Sequence, residues 1–131
     1  MRTDIWLNLP VSDLARSVAF YETLGFTRSQ GLGNSETSAC FMVGEKKMVL
    51  MLFARHVFAG FVGGNVADPN EGSAVLISLG ASSRDEVDDI AQRAEDAGGH
   101  VFGKPSPAGE RMYGCGLCDP DDHRWNVLFM G

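Results

Sequence analysis

The sequence predicts an α+β fold in which one structural unit, strand–helix–strands, occurs twice in a single domain spanning 1–131. Three observations carry this. An apolar strand from Ile5 to Leu9 leads to a helix opened at Ser12, a Gly25-Phe26 stop and further strands through Phe53. The same order returns with a strand from Ala74 to Leu79, a helix opened near Ser83, a Gly98-Gly99 stop and strands through Met130. The 131 residues (14.1 kDa) suffice for one core but not for two independent ones, so the two copies are expected to place half-sheets across a shared central cleft, with the helices outside.

Taken in order, the first helix has Ser12 as the hydroxyl that accepts a first-turn amide and Asp13 as the charge the helix dipole favours there. Leu14, Val18, Tyr21 and Leu24 recur at three- and four-residue steps as one apolar stripe, and Gly25 closes the helix. Met48 to Phe53 is apolar at every position, which fits a strand with a helix on one side and an enclosed space on the other. Module one covers about 1–55 and module two about 73–131. Between them, a linker of about 56–72, rich in glycine, is expected to fold partly over the cleft with Phe58 and Phe61 docked as anchors or as a lid.

The second helix shows capping-box spacing at Ser83 and Glu86, with Val87, Ile90, Ala91 and Ala94 as its stripe. Val101-Phe102 and Gly114 to Cys118 read as short strands. Asp119-Pro120-Asp121-Asp122 then reads as a turn into a last strand, Arg124 to Met130.

Composition excludes several function classes. A net charge of −6 argues against a nucleic-acid footprint and leaves room for a cationic ligand. No apolar run approaches the ~20 residues that span a bilayer. The opening Met1-Arg2-Thr3-Asp4 lacks the features of a signal peptide, so a cytoplasmic location is expected. Three cysteines fit reduced thiols better than a disulfide framework.

Three stretches carry a family resemblance. Asn8-Leu9-Pro10-Val11-Ser12-Asp13-Leu14-Ala15-Arg16-Ser17-Val18-Ala19-Phe20-Tyr21, with Leu24-Gly25-Phe26 behind it, resembles the opening of the glyoxalase / bleomycin-resistance / extradiol-dioxygenase (vicinal oxygen chelate) superfamily. Ala94 to Gly99 with Val101 resembles the end of that family's second helix, and Asp119-Pro120-Asp121-Asp122-His123-Arg124-Trp125-Asn126-Val127 resembles its closing hairpin. The resemblance implies two tandem βαβββ modules forming a cupped mixed sheet.

The family's enzymes hold a divalent metal through one His or Glu from each of four strands. Carried over, those positions fall on Trp6, on Met51, within Ala74-Val75-Leu76 and on Asn126. An indole, a thioether, aliphatic groups and a neutral amide are not ligands for such ions, so no metal or other cofactor is expected.

Other motifs offer little chemistry. Cys115-Gly116-Leu117-Cys118 places its thiols on opposite faces of a strand, His56, His100 and His123 are scattered, and Gly31-Leu32-Gly33-Asn34-Ser35 lacks the Lys and helix of a phosphate loop. The better candidates are the residues facing the cleft: Trp6, Asn8, Met51, Phe53, Met112, Tyr113 and Asn126, with Leu128 alongside. They imply a homodimeric protein that binds a small organic molecule by apolar and aromatic contact, the two asparagines fixing its orientation. The alternative is a glyoxalase-type lyase, isomerase or dioxygenase with a relocated metal or metal-free acid–base chemistry, for which Glu110, Asp121 and His56 are the available groups.

Overall fold

The computed structural model describes residues 4–131; Met1, Arg2 and Thr3, on which the reading of the N-terminus partly rested, lie outside the described residues. In chain order the elements are β1 (Leu7–Val11), α1 (Leu14–Leu24), β2 (Thr27–Arg28), β3 (Ser38–Val43), β4 (Met48–Ala54), α2 (Arg55–Val62), β5 (Leu76–Gly80), α3 (Arg84–Asp96), β6 (His100–Pro107), β7 (Met112–Cys118) and β8 (Arg124–Met130). They divide into one unit ending at Ala67 and a second from Asp68 to Gly131. Each unit is built on βαβββ, the first with α2 added at its end, and owns a four-stranded mixed sheet, β1-β4-β3-β2 in the first and β5-β8-β7-β6 in the second. The first strand of each unit pairs in parallel with the last, and the remaining pairs are antiparallel.

In the first unit, α1 begins one residue later than expected. Asp13, in extended backbone, is the cap, and its carboxylate accepts the Arg16 backbone N–H at 3.1 Å. Ser12 instead accepts from the Arg16 guanidinium at 2.9 Å. The buried stripe is Ser17, Phe20, Tyr21 and Leu24, displaced from the expected one because the aromatic rings of Phe20 and Tyr21 set the contact. Tyr21 is fully buried, edge-on to Phe20 at 5.1 Å, stacked on Phe26 at 5.4 Å and tilted against Phe41. Ser17 is small enough to bring the helix close to the sheet. Gly25, at φ 102°, returns its N–H to the Glu22 and Tyr21 carbonyls and ends α1 as the sequence predicts.

The expected irregular linker begins instead with α2, a helix that continues directly from β4 and ends at Gly63. The Arg55 guanidinium donates to the Val66 carbonyl at 3.3 Å and ties the following segment back to it.

The second unit repeats the plan with better caps. Ser83 accepts the Glu86 N–H at 3.0 Å, while the Glu86 carboxylate accepts from Ser82 rather than from Ser83, a capping box displaced by one residue. Asp85 and Glu86 sit at the positive end of α3 and Arg93 at its negative end. Val87, Ile90, Ala91 and Ala94 are buried as expected, against Cys115, Leu117, Trp125 and Val127. In the β7–β8 turn, Asp119 is 1% exposed, and its Oδ1 accepts the backbone N–H groups of Asp121 and His123 at 2.9 Å each. The last strand runs from Arg124 to Met130 as predicted, whereas β6 and β7 extend beyond the short stretches expected of them.

The position of the first cap is testable: Asp13→Ala should lower unfolding free energy by about 1 kcal/mol and Ser12→Ala by a few tenths at most, read from urea denaturation midpoints. The reverse ranking would mean that Ser12 opens the helix.

Candidate functional site

Alternation along each strand sends one row of side chains to the helix and the next to the opposite face, so each unit has one filled face and one face available for other work. In the first unit, Leu9, Val11, Ala39, Phe41, Leu50 and Leu52 lie under α1. On the other side, Asn8 stands opposite Met51, which stands opposite Cys40, and Pro10 stands opposite Phe53, which stands opposite Ser38. This face is partly dressed by its own unit. The Phe61 ring of α2 meets Phe53 edge-on at 5.0 Å. Gly33, at φ 96°, comes so near that a methyl group there would lie 3.1 Å from Cys40 Cβ and 3.3 Å from Met51 Cε.

Asn34 holds that loop down. Its amide oxygen accepts from the Arg28 guanidinium at 2.8 Å and from the Cys40 N–H at 3.1 Å, and its amide nitrogen donates to the Ser29 carbonyl. The glycine-rich stretch is thus a strand connection, and Asn34 is its organiser.

In the second unit, the row facing away from α3 on β8 is Arg124, Asn126, Leu128 and Met130. Across from it on β7 are Cys118, Gly116, Gly114 and Met112, and Asn126 is flanked on its other side by Ser78 of β5. The two glycines leave room that neighbours fill. A Cβ at Gly116 would lie 2.5 Å from the Phe102 ring, and one at Gly114 would lie 2.6 Å from a Leu128 methyl. Phe102 and Leu128 therefore lie down on the backbone of β7. The Arg124 guanidinium stacks over the Phe102 ring, 4.5 Å from its centroid, and Phe102 remains 45% exposed.

The predicted site residues fall as follows. Trp6 precedes β1 and is 56% exposed, Asn8 is exposed, and Met51 and Phe53 are half-buried on the same face as Asn8. Met112 and Asn126 share the open face of the second sheet, two registers apart. Tyr113 does not join them, because consecutive strand residues point to opposite faces. Its hydroxyl donates to Asp88 of α3 at 2.6 Å, the Arg84 guanidinium lies over its ring, and the Asp88 bond holds its proton above the ordinary phenol range. Phe102 and Arg124, which the sequence did not single out, share the open face of the second sheet with Asn126; the two glycines two apart in β7 are the signal of a side-chain-free strip, but not of which neighbour fills it.

For the acid–base groups, Glu110 is exposed in the β6–β7 connection, Asp121 is half-buried in the β7–β8 turn and His56 is exposed on α2. Among the described residues, no three His, Cys, Asp or Glu side chains gather in a geometry suited to a metal ion. The positions to which the resemblance assigns a metal carry an indole, a thioether, aliphatic groups and an amide, a donor set that does not fit such an ion. Among the described residues, no helix is long and apolar enough to cross a membrane.

Residues 4–44 match the family model described as bleomycin resistance protein-like N-terminal. Among solved structures, a hypothetical protein from S. aureus is similar at 29% identity with a TM-score of 0.84, covering 98% of this chain and 94% of that one. A glyoxalase-related enzyme from Fulvimarina pelagi is similar at 19% identity and TM-score 0.82, over 98% of this chain and 88% of that one. A glyoxalase/bleomycin resistance protein/dioxygenase family enzyme from Burkholderia phytofirmans is similar at 18% identity and TM-score 0.81, over 98% and 100%. No curated protein sequence matches the chain.

Burial pushes both strand thiols, Cys115 and Cys118, up to about 11, and the Asp122 carboxylate that accepts the Cys118 S–H adds to the second shift. Below the ordinary thiol value of about 9 their contribution to stability is complete. Between about 9 and about 11 the unfolded chain releases protons that the folded chain keeps, so stability falls as pH rises. Urea midpoints should decline across that window, and the double variant Cys115→Ala/Cys118→Ala should flatten the decline. An unchanged slope would contradict the assignment.

Proposed function

We propose that this chain, which has the fold of the glyoxalase/bleomycin resistance/dioxygenase superfamily and matches the bleomycin resistance protein-like N-terminal model over residues 4–44, binds a small organic molecule on an open sheet face without a divalent metal. One observation carries this reading: the faces turned away from α1 and α3 present amides beside apolar side chains, Asn8 opposite Met51 in the first unit and Asn126 beside Leu128 in the second. Apolar contact supplies affinity at about 25 cal/mol per Å² removed from water, and a few amides fix orientation.

In the first unit Trp6, Met51 and Phe53 furnish apolar surface beside Asn8, and in the second Met112 does so on the face of Asn126; each amide offers both a donor and an acceptor. Tyr113, engaged with Asp88, is left out of this set. The same proposal takes the working form to be a homodimer. What supports the metal-free part is the chemistry at Trp6, Met51 and Asn126, none of which is a ligand of hard or borderline divalent ions.

The enzymatic alternative has less support. A lyase, isomerase or dioxygenase needs an acid–base group against its substrate. Glu110, Asp121 and His56 lie in two connections and a helix and not on the strand rows that carry the asparagines.

Metal analysis of the dialysed protein should find no stoichiometric nickel, zinc, manganese or iron; a retained equivalent would contradict the proposal. A thermal-shift screen of organic compounds should then find a stabiliser. A ligand at a hundred times its Kd adds about 2.7 kcal/mol, a rise of several degrees for a domain of this size. A broad screen without a hit would remove the binding reading.

A further inference from the structure

We propose that the ligand is an anion, a compact apolar or aromatic molecule ending in a carboxylate or similar group, and that Arg124 receives its charge at the end of the Phe102–Leu128 platform. This rests on the binding reading above and narrows it to a chemical class.

The argument starts from β7. Because Gly116 and Gly114 carry no side chains, Phe102 and Leu128 lie flat over its backbone and form a low apolar floor instead of two projecting groups. A planar ring or short alkyl chain can lie on such a floor. Arg124 and Asn126 stand at successive positions of the same row on β8, about 7 Å apart along the strand. A ligand about one ring and a short tail long therefore reaches from the Leu128 end to the guanidinium, with the Asn126 amide between.

The charge follows from what surrounds Arg124. Its guanidinium stacks on Phe102 at 4.5 Å and, among the described residues, makes no ion pair or hydrogen bond. Stacking uses the face of the guanidinium and leaves its in-plane N–H donors free for a carboxylate fork. It also fixes the group in place, so less conformational entropy is lost on binding.

Nearby acids do not cancel this charge. The Asp122 carboxylate lies 3.4 Å from the Cys118 thiol, and among the described residues no carboxylate comes within ion-pair distance of the guanidinium. Along the open rows of β5, β7 and β8, Arg124 is the one permanently charged side chain. The net charge of −6, which on its own suits a cation, includes Asp119, Asp121 and Asp122 just before Arg124, but none of them pairs with its guanidinium. At physiological salt it is screened within about 8 Å, so the guanidinium in contact decides.

The alternative role for Arg124 is purely structural, a staple from β8 across β7 to Phe102. Calorimetric titration of the full chain with 3-phenylpropionate, 3-phenylpropionamide and 3-phenylpropylammonium separates the two. The carboxylate should bind at least about tenfold more tightly than the amide, and the ammonium more weakly still. Arg124→Gln should cost the carboxylate about tenfold while leaving the amide within about twofold, and Arg124→Lys should recover most of the loss.

Equal affinity for the carboxylate and the amide, or an unchanged carboxylate affinity in Arg124→Gln, would overturn the anion assignment and leave the binding reading standing. So would failure of all three probes if the broader screen yields a neutral or cationic stabiliser. Failure of every compound would remove both readings. Circular dichroism and the urea midpoint verify that Arg124→Gln is folded; if it is not, the charge series on the unaltered chain decides alone.

Discussion

Strand β7 has no side chain at Gly114 or Gly116, and the open face of the second unit takes its form from those two gaps. A methyl group at 114 would come within 2.7 Å of the Val127 carbonyl oxygen as well as striking Leu128, and one at 116 would strike the Phe102 ring. Large side chains on β6 and β8 can therefore settle onto the strand between them. On its other side the same strand buries Cys115 and Leu117 beneath α3. One strand is thus wall to the core and floor to the exposed face. Arg124 depends on this arrangement too, since the ring it stacks upon is held flat by the absence of a Cβ at 116.

The first unit has the same topology and dresses its open face differently. There the Gly33 loop, pinned by Asn34, descends on Cys40 and Met51, and Phe61 of α2 closes on Phe53. Asn8 is left as the exposed polar group of that face. A duplicated βαβββ plan consequently offers two unlike surfaces, one partly dressed by its own unit and one with an apolar floor and a cation at its edge. The helix-facing sides are alike in principle, each an apolar stripe laid on alternate strand residues. The first adds an aromatic cluster around Tyr21, where the second relies on small and aliphatic residues along α3.

The fold was legible where local chemistry and tertiary demand agree. Gly25 ends α1, Ser83 opens α3, the Val87 to Ala94 stripe is buried, and the Asp119 turn launches β8 at Arg124, all from signals a few residues long. Reading failed where a neighbour in space decides. The α1 stripe shifted because the rings of Phe20 and Tyr21 set the contact. Residues 55–62 were read as part of a linker because Gly60 and the glycines after it weaken a helix signal, yet Phe61 finds Phe53 and holds the turns in place. For the site, Asn8, Met51, Phe53 and Asn126 were placed on open faces by alternation alone. Tyr113 was misassigned, because Met112 and Tyr113 are adjacent and only one of two consecutive strand residues can face a given side. Phe102 was missed because the register shifts between Val101 and Gly103 are invisible in the sequence.

The most direct test of the account is where a bound molecule sits. Nitrogen-15 NMR titration of the full chain with 3-phenylpropionate should move the backbone amides of Gly114, Gly116 and Asn126 and the Arg124 side-chain Nε–H resonance, while α3 amides such as Ile90 and Ala94 stay fixed. Shifts confined to the helices, or scattered without preference for β7 and β8, would contradict it.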